Sequence, residues 1–438
     1  MRNAIMHAYR LQKFLSIFSL AILLVVQLPS NAVAETLEQA WAAALAADHG
    51  LKASRFNTAA ADRQLAAAKA ARLPSAGMSA DYVALSELPS LKADLLGQSF
   101  QIPLMQRNGA VYNATATLPI YTGGRIEHGI AAASSSLQAT KLDETTYEQN
   151  LKLRVAEAYV NVLRSYRGRQ VAESHQTALE AHAHDVENLA QQGMAAKNAQ
   201  LSAQVALLDA RQQVLQATST LDLACAAYNR LLGRALDQPV NLDEISTETT
   251  DEEVPALIQR ALAQRSELKS LDRQSAAVHN QAVAVRRETF PLVGLSGGYN
   301  YLQDRYLAHD GQWIVALGIK WNVFDGGSSR NRGSAIEFQS AGLSEQRNEL
   351  ASLIGLQVFQ SWIDLQTTSE RVDVTQSAIA QAEENVRVVR DRYVNGLAPY
   401  TEVLDAETLR ITSETNQANA VYDAVIAGLR LKYALGEL

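Results

Sequence analysis

Glu402 and Asp405 stand three apart in a run of helix-forming residues, which puts both carboxylates on one face of a helix. By themselves they suit a helix's first turn, where the dipole favours acids and Thr401 would serve as N-cap. A second group, His175, His182 and His184 with Asp185, carries metal-ligating side chains. Only His175 and His182 share a face, two turns apart, too far for one ion, so a solvated surface and no metal site is expected. Cys225 lies in the Ala-rich run from Leu221 to Tyr228 and reads as a small helix-packing residue, not a reactive thiol. With a single cysteine no intrachain disulfide framework exists. Gly-rich phosphate loops, nucleophile elbows and HExxH are missing from the sequence, so neither an enzyme nor a cofactor is expected.

The elements that position these residues are unusually long. No proline occurs between Pro119 and Pro239, or between Pro291 and Pro399, and Ala, Gln, Leu, Glu and Arg dominate both stretches. Such composition favours helix over far more than the usual length. From Arg125 to about Gln191 the pattern is unbroken, roughly 100 Å of helix. Gly193 ends it, and a second helix returns from about Asn198 to Leu232. The later stretch turns at Asn395-Gly396-Leu397-Ala398-Pro399, and Leu365, Val372, Ile379 and Val386 fall seven apart, a coiled-coil seam. The net charge of -7 is modest and no basic stripe appears, so nucleic acid is not an expected partner.

Residues 1–34 read as a signal peptide. Arg2, Arg10 and Lys13 precede an apolar core from Phe14 to Val26, then Pro29 and Ala32-Val33-Ala34. Cleavage is expected before Glu35, with no cysteine there for a lipid anchor. Beyond it no apolar run is long enough for a transmembrane helix, so any membrane contact falls to strands.

The remaining chain is written twice. Ala44-Leu45-Ala46 recurs as Ala261-Leu262-Ala263, Leu51-Lys52 as Leu268-Lys269 and Pro74 as Pro291, all 217 residues apart. Gly123-Gly124 recurs as Gly326-Gly327, Gly193 as Gly396 and Leu232-Gly233 as Leu435-Gly436, all 203 apart. The difference assigns fourteen extra residues, around Ser86 to Asn108, to a loop in the first repeat. The expected organisation is a first repeat at 35–233, a linker at 234–255 and a second repeat at 256–438. Strands are expected at about 75–85 and 110–121, then 291–303 and 312–324, with helical hairpins at 125–233 and 328–436.

Each strand pair alternates with period two. Val293, Leu295, Gly297, Tyr299 and Tyr301 face opposite to Ser296 and Asn300, and Trp313, Val315, Leu317 and Ile319 opposite to Ala316 and Lys320. Lipid-facing strands with a wet reverse side show this pattern, and so does a half-buried soluble hairpin. Four strands cannot close a barrel, and bilayers do not tolerate open sheet edges. Two copies would give a filled eight-stranded barrel and three a twelve-stranded one with a lumen, which favours a homotrimer.

Signal peptide, duplicated strand pairs and antiparallel helical hairpins together resemble the outer-membrane factor (TolC) family over essentially the whole mature chain. The local marks are Leu118-Pro119-Ile120-Tyr121-Thr122-Gly123-Gly124, Trp321-Asn322-Val323-Phe324-Asp325-Gly326-Gly327, and Arg392-Tyr393-Val394-Asn395-Gly396 followed by Glu402-Val403-Leu404-Asp405-Ala406. The resemblance implies a mainly α chain whose trimer forms a twelve-stranded transmembrane β-barrel and a periplasmic α-barrel. An equatorial belt would draw on Asp237 to Pro255 and the C-terminal end.

Function by this resemblance is the exit path of a tripartite efflux pump or type I secretion system, a passive conduit in the outer membrane. Its partners would be a periplasmic adaptor and an inner-membrane RND or ABC transporter. Glu402 and Asp405 would ring the periplasmic gate, where the first repeat has Ala199 and Ser202. Tyr393 matches the tyrosine of the family's lock. The lock's arginine position holds Ala398 and its Thr-Asp positions hold Asn198 and Ala199, leaving a Tyr393–Asn198 contact. The turns at Gly193-Met194-Ala195 and Gly396-Leu397-Ala398 would dock the adaptor. The competing reading, a secreted coiled-coil scaffold or adhesin without a channel, predicts a soluble periplasmic protein.

Overall fold

The computed structural model describes residues 34–95, 97–246 and 252–438. The expected signal peptide, except Ala34, and residues 247–251 of the expected linker lie outside the described residues. The chain opens with helices α1 (Leu37–Ala47) and α2 (His49–Ala70). Strand β1 (Ser75–Ala84), the hairpin of β2 (Ser90–Leu95) and β3 (Gln98–Pro103), and β4 (Asn108–Tyr121) follow. Helices α3 (Arg125–Gln191) and α4 (Lys197–Leu231) form the first long hairpin. The second half repeats the plan with α5 (Val254–Gln264), α6 (Ser266–Arg286), β5 (Leu292–Leu302), β6 (Gly311–Lys320), α7 (Ser328–Val394) and α8 (Tyr400–Leu435).

Both outgoing helices, α3 and α7, have 67 residues, which makes each about 100 Å long. Each begins at a pair of left-handed glycines, Gly123-Gly124 and Gly326-Gly327, which turn the strand sharply into the helix. A Cβ on Gly123 would lie 2.4 Å from that of Phe290, so close strand–helix packing also requires glycine there. Asp325 accepts from the backbone N–H of Gly327 at 2.9 Å and of Ser329 at 2.8 Å, capping α7.

The four main strands form one antiparallel sheet in the order β1-β4-β5-β6. Register decides its two faces. Met78 pairs with Ala114, Ala114 with Tyr299, and Tyr299 with Trp313; one step along, Ala116, Gly297 and Val315 align, then Leu118, Leu295 and Leu317. The other face aligns Ser79, Asn113, Asn300 and Gln312. One face is thus mainly apolar, and the other is mainly polar or small, with Ile314 and the Val111–Leu302 pair as exceptions. Among the described residues no helix packs across either face. Trp313, Val315, Leu317 and Ile319 are 80%, 79%, 68% and 71% exposed.

Two sequence expectations need correction here. The extra residues of the first repeat are not a plain loop, because Ser90–Pro103 pairs with itself as β2–β3 in a separate two-stranded sheet. The final strand stops at Lys320 rather than near 324. Beyond it the Trp321 indole donates to the carbonyl of Thr289 at 3.0 Å, and the Asp325 cap begins the turn into α7.

The buried core sits midway along the helices. Leu151, Val155, Tyr159 and Val160 of α3 pack with Leu51 and with Tyr228 of α4, while Leu257, Leu268, Ile354, Val358 and Leu365 form the matching cluster of the second repeat. Cys225 packs against the first cluster, and burial pushes its thiol up, consistent with an inert packing residue. Among the described residues no helix is long and apolar enough to cross a membrane.

Candidate functional site at the hairpin tips

Both hairpins turn in the same way. Gly193 and Gly396 adopt φ of 75° and 72°. The next residue closes the turn in each: Met194 donates to the Leu189 carbonyl and Leu397 to that of Arg392, both at 2.8 Å. This is the Schellman arrangement, which satisfies carbonyls left open at a helix end. It leaves Met194 and Leu397 projecting outward, 66% and 70% exposed.

Helix α8 then starts at Tyr400 with Pro399 in the N-cap position. Thr401 is therefore not the cap; it lies inside the first turn, because Pro399 already supplies the extended backbone that precedes a helix. Val403 and Ala406 are buried against Val389 of α7, so the intervening Glu402 and Asp405 turn away from that seam. Arg392 reaches Glu402 at 3.3 Å and also donates to the Leu397 carbonyl at 3.3 Å. Both members of this pair are well exposed, so it contributes at most about 1 kcal/mol. Asp405 is exposed and has no partner among the described residues.

Tyr393 and Asn198 are not joined by a hydrogen bond. The Asn198 carboxamide oxygen instead accepts from the backbone N–H of Ala199 at 2.9 Å. What joins the two hairpins is aromatic. His182 of α3 stacks on Tyr400 of α8 at 4.9 Å between centroids, 13° between planes, and meets Tyr393 of α7 edge-on at 5.8 Å. Beneath these rings Val186 and Ala203 are buried with Tyr400. Stacked and edge-to-face pairs of this kind contribute about 0.5–1.5 kcal/mol each beyond area burial.

The solvated-surface reading of the histidines holds only for His184, which is exposed. His175 and His182 are buried. Their spacing carried the signal: His175, Leu179, His182 and Val186 follow steps of four, three and four, the seam of a coiled coil. All four are buried. Burial pushes His182 below its usual value, the Arg390 charge adds to this, and Asp185 and Glu407 oppose it. Burial likewise lowers His175, with Glu407 opposing. Burial, helped by Tyr393, pushes the Tyr400 hydroxyl up to about 12. Neither His182 Nε2 nor the Tyr400 hydroxyl has a hydrogen-bond partner. No cluster of three metal-ligating residues exists among the described residues.

A β-sheet with one bare apolar face, set on two 100 Å helical hairpins, defines a class of protein rather than a single activity. The model of the outer membrane efflux protein family matches residues 41–234 and 257–437, and the chain belongs to that family. Outer membrane protein TolC of Vibrio cholerae is 24% identical over 423 residues, covering 93% of this chain and 92% of that protein. The solved structure of CusC superposes with a TM-score of 0.79 at 18% identity, covering 92% of both chains. That of the Vibrio cholerae outer membrane protein VceC gives 0.77 at 19% identity, covering 91% of this chain and 96% of that one.

Proposed function

We propose that the protein is the outer-membrane channel of an export machine, a passive duct assembled from three copies and gated at its periplasmic tips. The observation that carries this is the sheet. Its apolar face is uncovered and bounded by aromatic residues at both ends, Tyr82, Tyr112, Tyr299 and Trp313 at one and Tyr121, Phe290, Trp321 and Phe324 at the other. From Trp313 to Trp321 the chain rises about 27 Å, close to the apolar band between the aromatic girdles of membrane barrels. A soluble hairpin would cover that face with a core, and this one is bare.

The open edges of β1 and β6 need partners, since lipid offers no hydrogen bonds to unpaired backbone. Pairing β6 of one copy with β1 of the next closes a barrel. Three copies supply twelve strands and a lumen, whereas two give a barrel filled by its own side chains. The helices then continue the duct through the periplasm.

At the far end Glu402 and Asp405 ring the entrance, with Asp405 the freer of the two. Tyr393 and Asn198 flank it. The turns at Gly193, Met194, Gly396 and Leu397 present the surface for a periplasmic adaptor, which joins the duct to an inner-membrane RND or ABC transporter. Family membership and the bare sheet both favour this over a soluble scaffold or adhesin.

The test is single-channel recording from purified protein in planar bilayers. Heat-modifiable trimers from the outer-membrane fraction should conduct with cation preference, and the Glu402→Ala, Asp405→Ala double variant should lose that preference. Soluble monomers would refute the duct; unchanged selectivity in the double variant would refute the acidic entrance.

A further inference from the structure

The two hairpins meet at their tips through three rings over a small apolar cluster, and among the described residues no hydrogen bond joins Tyr393 to Asn198 there. We propose that the His182–Tyr393–Tyr400 clasp is a proton-operated latch: neutral His182 holds the two hairpin tips together, and protonation releases them. The proposal rests on the reading of these tips as the gate.

The geometry is one that a neutral imidazole tolerates and an imidazolium does not. His182 is 5% exposed, flat against Tyr400 and edge-on to Tyr393. A neutral ring needs only one donor satisfied. An imidazolium must place two N–H groups, and Nε2 already lies buried without a partner. A buried, unpaired charged donor is among the costlier arrangements in a protein. An adjoining groove of about 320 Å³ is lined by Arg390 of α7 beside His182 and Tyr393.

Every charged group that faces the ring can be named. Arg390 on α7 repels an imidazolium, while Asp185 on His182's own helix and Glu407 on α8 attract it. Helix α4 contributes only Ala199 and Ala203 to the cluster. Stacking on Tyr400 adds some cation–π attraction for the charged ring. Burial and Arg390 outweigh these attractions, so the closed tips hold the proton more weakly than separated tips would. The sign follows from linkage. A histidine depressed in the closed state stabilises closure above its free value, near 6.5, and that contribution is lost as pH falls toward the closed-state value. Acidification therefore favours the open tips.

The latch is tested on the full-length trimer in lipid nanodiscs, with spin labels at Met194→Cys and Leu397→Cys in a Cys225→Ser background. Between about pH 7.5 and about pH 5, the span over which a histidine titrates, the distance between the labelled turns should lengthen. In His182→Phe, which keeps an aromatic ring but cannot titrate, it should stay short at both values. His182→Gln, neutral and polar, serves if the Phe variant fails to assemble, and should also be insensitive to pH. Open probability in bilayers should rise on acidification in the native protein and stay constant in His182→Phe. An unchanged distance in the native clasp, or an equal change in both variants, overturns the latch. A distance that responds while conductance does not supports the latch and overturns the gate reading instead.

Discussion

Gly233 and Gly436 occupy the same place in the two repeats. Each follows a returning helix in left-handed backbone, φ 69° and 80°, and each is followed by a residue whose N–H closes the helix end at 2.9 Å, Arg234 to Asn229 and Glu437 to Lys432. Each glycine also faces the break between its own repeat's first two helices, Ala47 in one case and Gln264–Arg265 in the other. The polar anchoring differs. At the break, the first repeat has Asp48, which caps α2 through the Leu51 N–H at 2.7 Å and receives the Tyr147 hydroxyl. The second has Arg265, which grips Glu267 with two hydrogen bonds and donates to the carbonyls of Tyr433 and Ala434 at the end of α8. A duplicated backbone has kept its shape while one anchor is an acid that caps α2 and ties it to α3, and the other a base that ties the break to the end of α8.

The largest effect expected from this contrast is at Arg265. It is buried, stacked over Tyr433 at 5.0 Å, and donates to the Ala434 carbonyl at the end of the helix. Arg265→Met removes the charge but keeps much of the volume, leaving Glu267 and the Ala434 carbonyl without this donor. A loss of about 3–5 kcal/mol is expected, as for breaking one side of a buried ion pair. Asp48→Ala should cost only about 1 kcal/mol, the usual worth of an N-cap. Thermal melting followed by helical circular dichroism compares the two. Equal losses would mean that the anchors are energetically equivalent despite their different reach.

The glycines give a smaller and sharper comparison. Left-handed backbone costs any L-residue about 1–2 kcal/mol, so both Gly→Ala changes destabilise. At Gly436 a Cβ would meet Arg265 no closer than 3.5 Å, ordinary contact, whereas at Gly233 it would lie 2.8 Å from the Ala47 Cβ. Gly233→Ala should therefore be the worse by about 1 kcal/mol or more, through overpacking. Pairing it with Ala47→Gly should remove that excess and leave only the backbone cost, a double-mutant cycle that isolates the contact.

Much of this plan was legible before any coordinates. The absence of proline and the helix-forming composition mark α3 and α7, and strict alternation marks β5 and β6, because both periods are local properties of the chain. The β2–β3 hairpin escaped because its residues were recognised only as an insertion, although Leu91, Ala93 and Leu95 alternate with Lys92 and Asp94. At the tips, Glu402 and Asp405 stood out by charge and spacing, yet the Arg392 that pairs with Glu402 did not, since a turn must first fold back to bring them together. The ring clasp was hidden for a related reason. His182 looks like a surface residue until the seam through Leu179 and Val186 is traced, and Tyr400 becomes its partner only when two hairpins 203 residues apart in register lie side by side.

The smallest effect expected concerns pH at the first repeat's end. Glu35 receives Arg234 at 2.8 Å and the Tyr228 hydroxyl at 2.9 Å. Burial pushes its carboxyl up, but the Arg234 and Tyr228 hydrogen bonds and the Arg234 charge outweigh it, and the net shift is downward. A depressed carboxylate stabilises the fold above its unfolded value, about 4.3, and this contribution is lost as pH falls through the lower folded value. Hydrogen-exchange protection of Leu232 to Asn241, corrected for intrinsic rates, should therefore weaken below about pH 4 by about 1 kcal/mol or less. The end of the second repeat, Leu435 to Glu437, where Arg265 is held by Glu267, gives a reference segment. Arg234→Gln should flatten the acid response of the first segment and leave that of the second unchanged. If the first segment keeps its slope without Arg234, its pH dependence arises elsewhere than in the Glu35 pair.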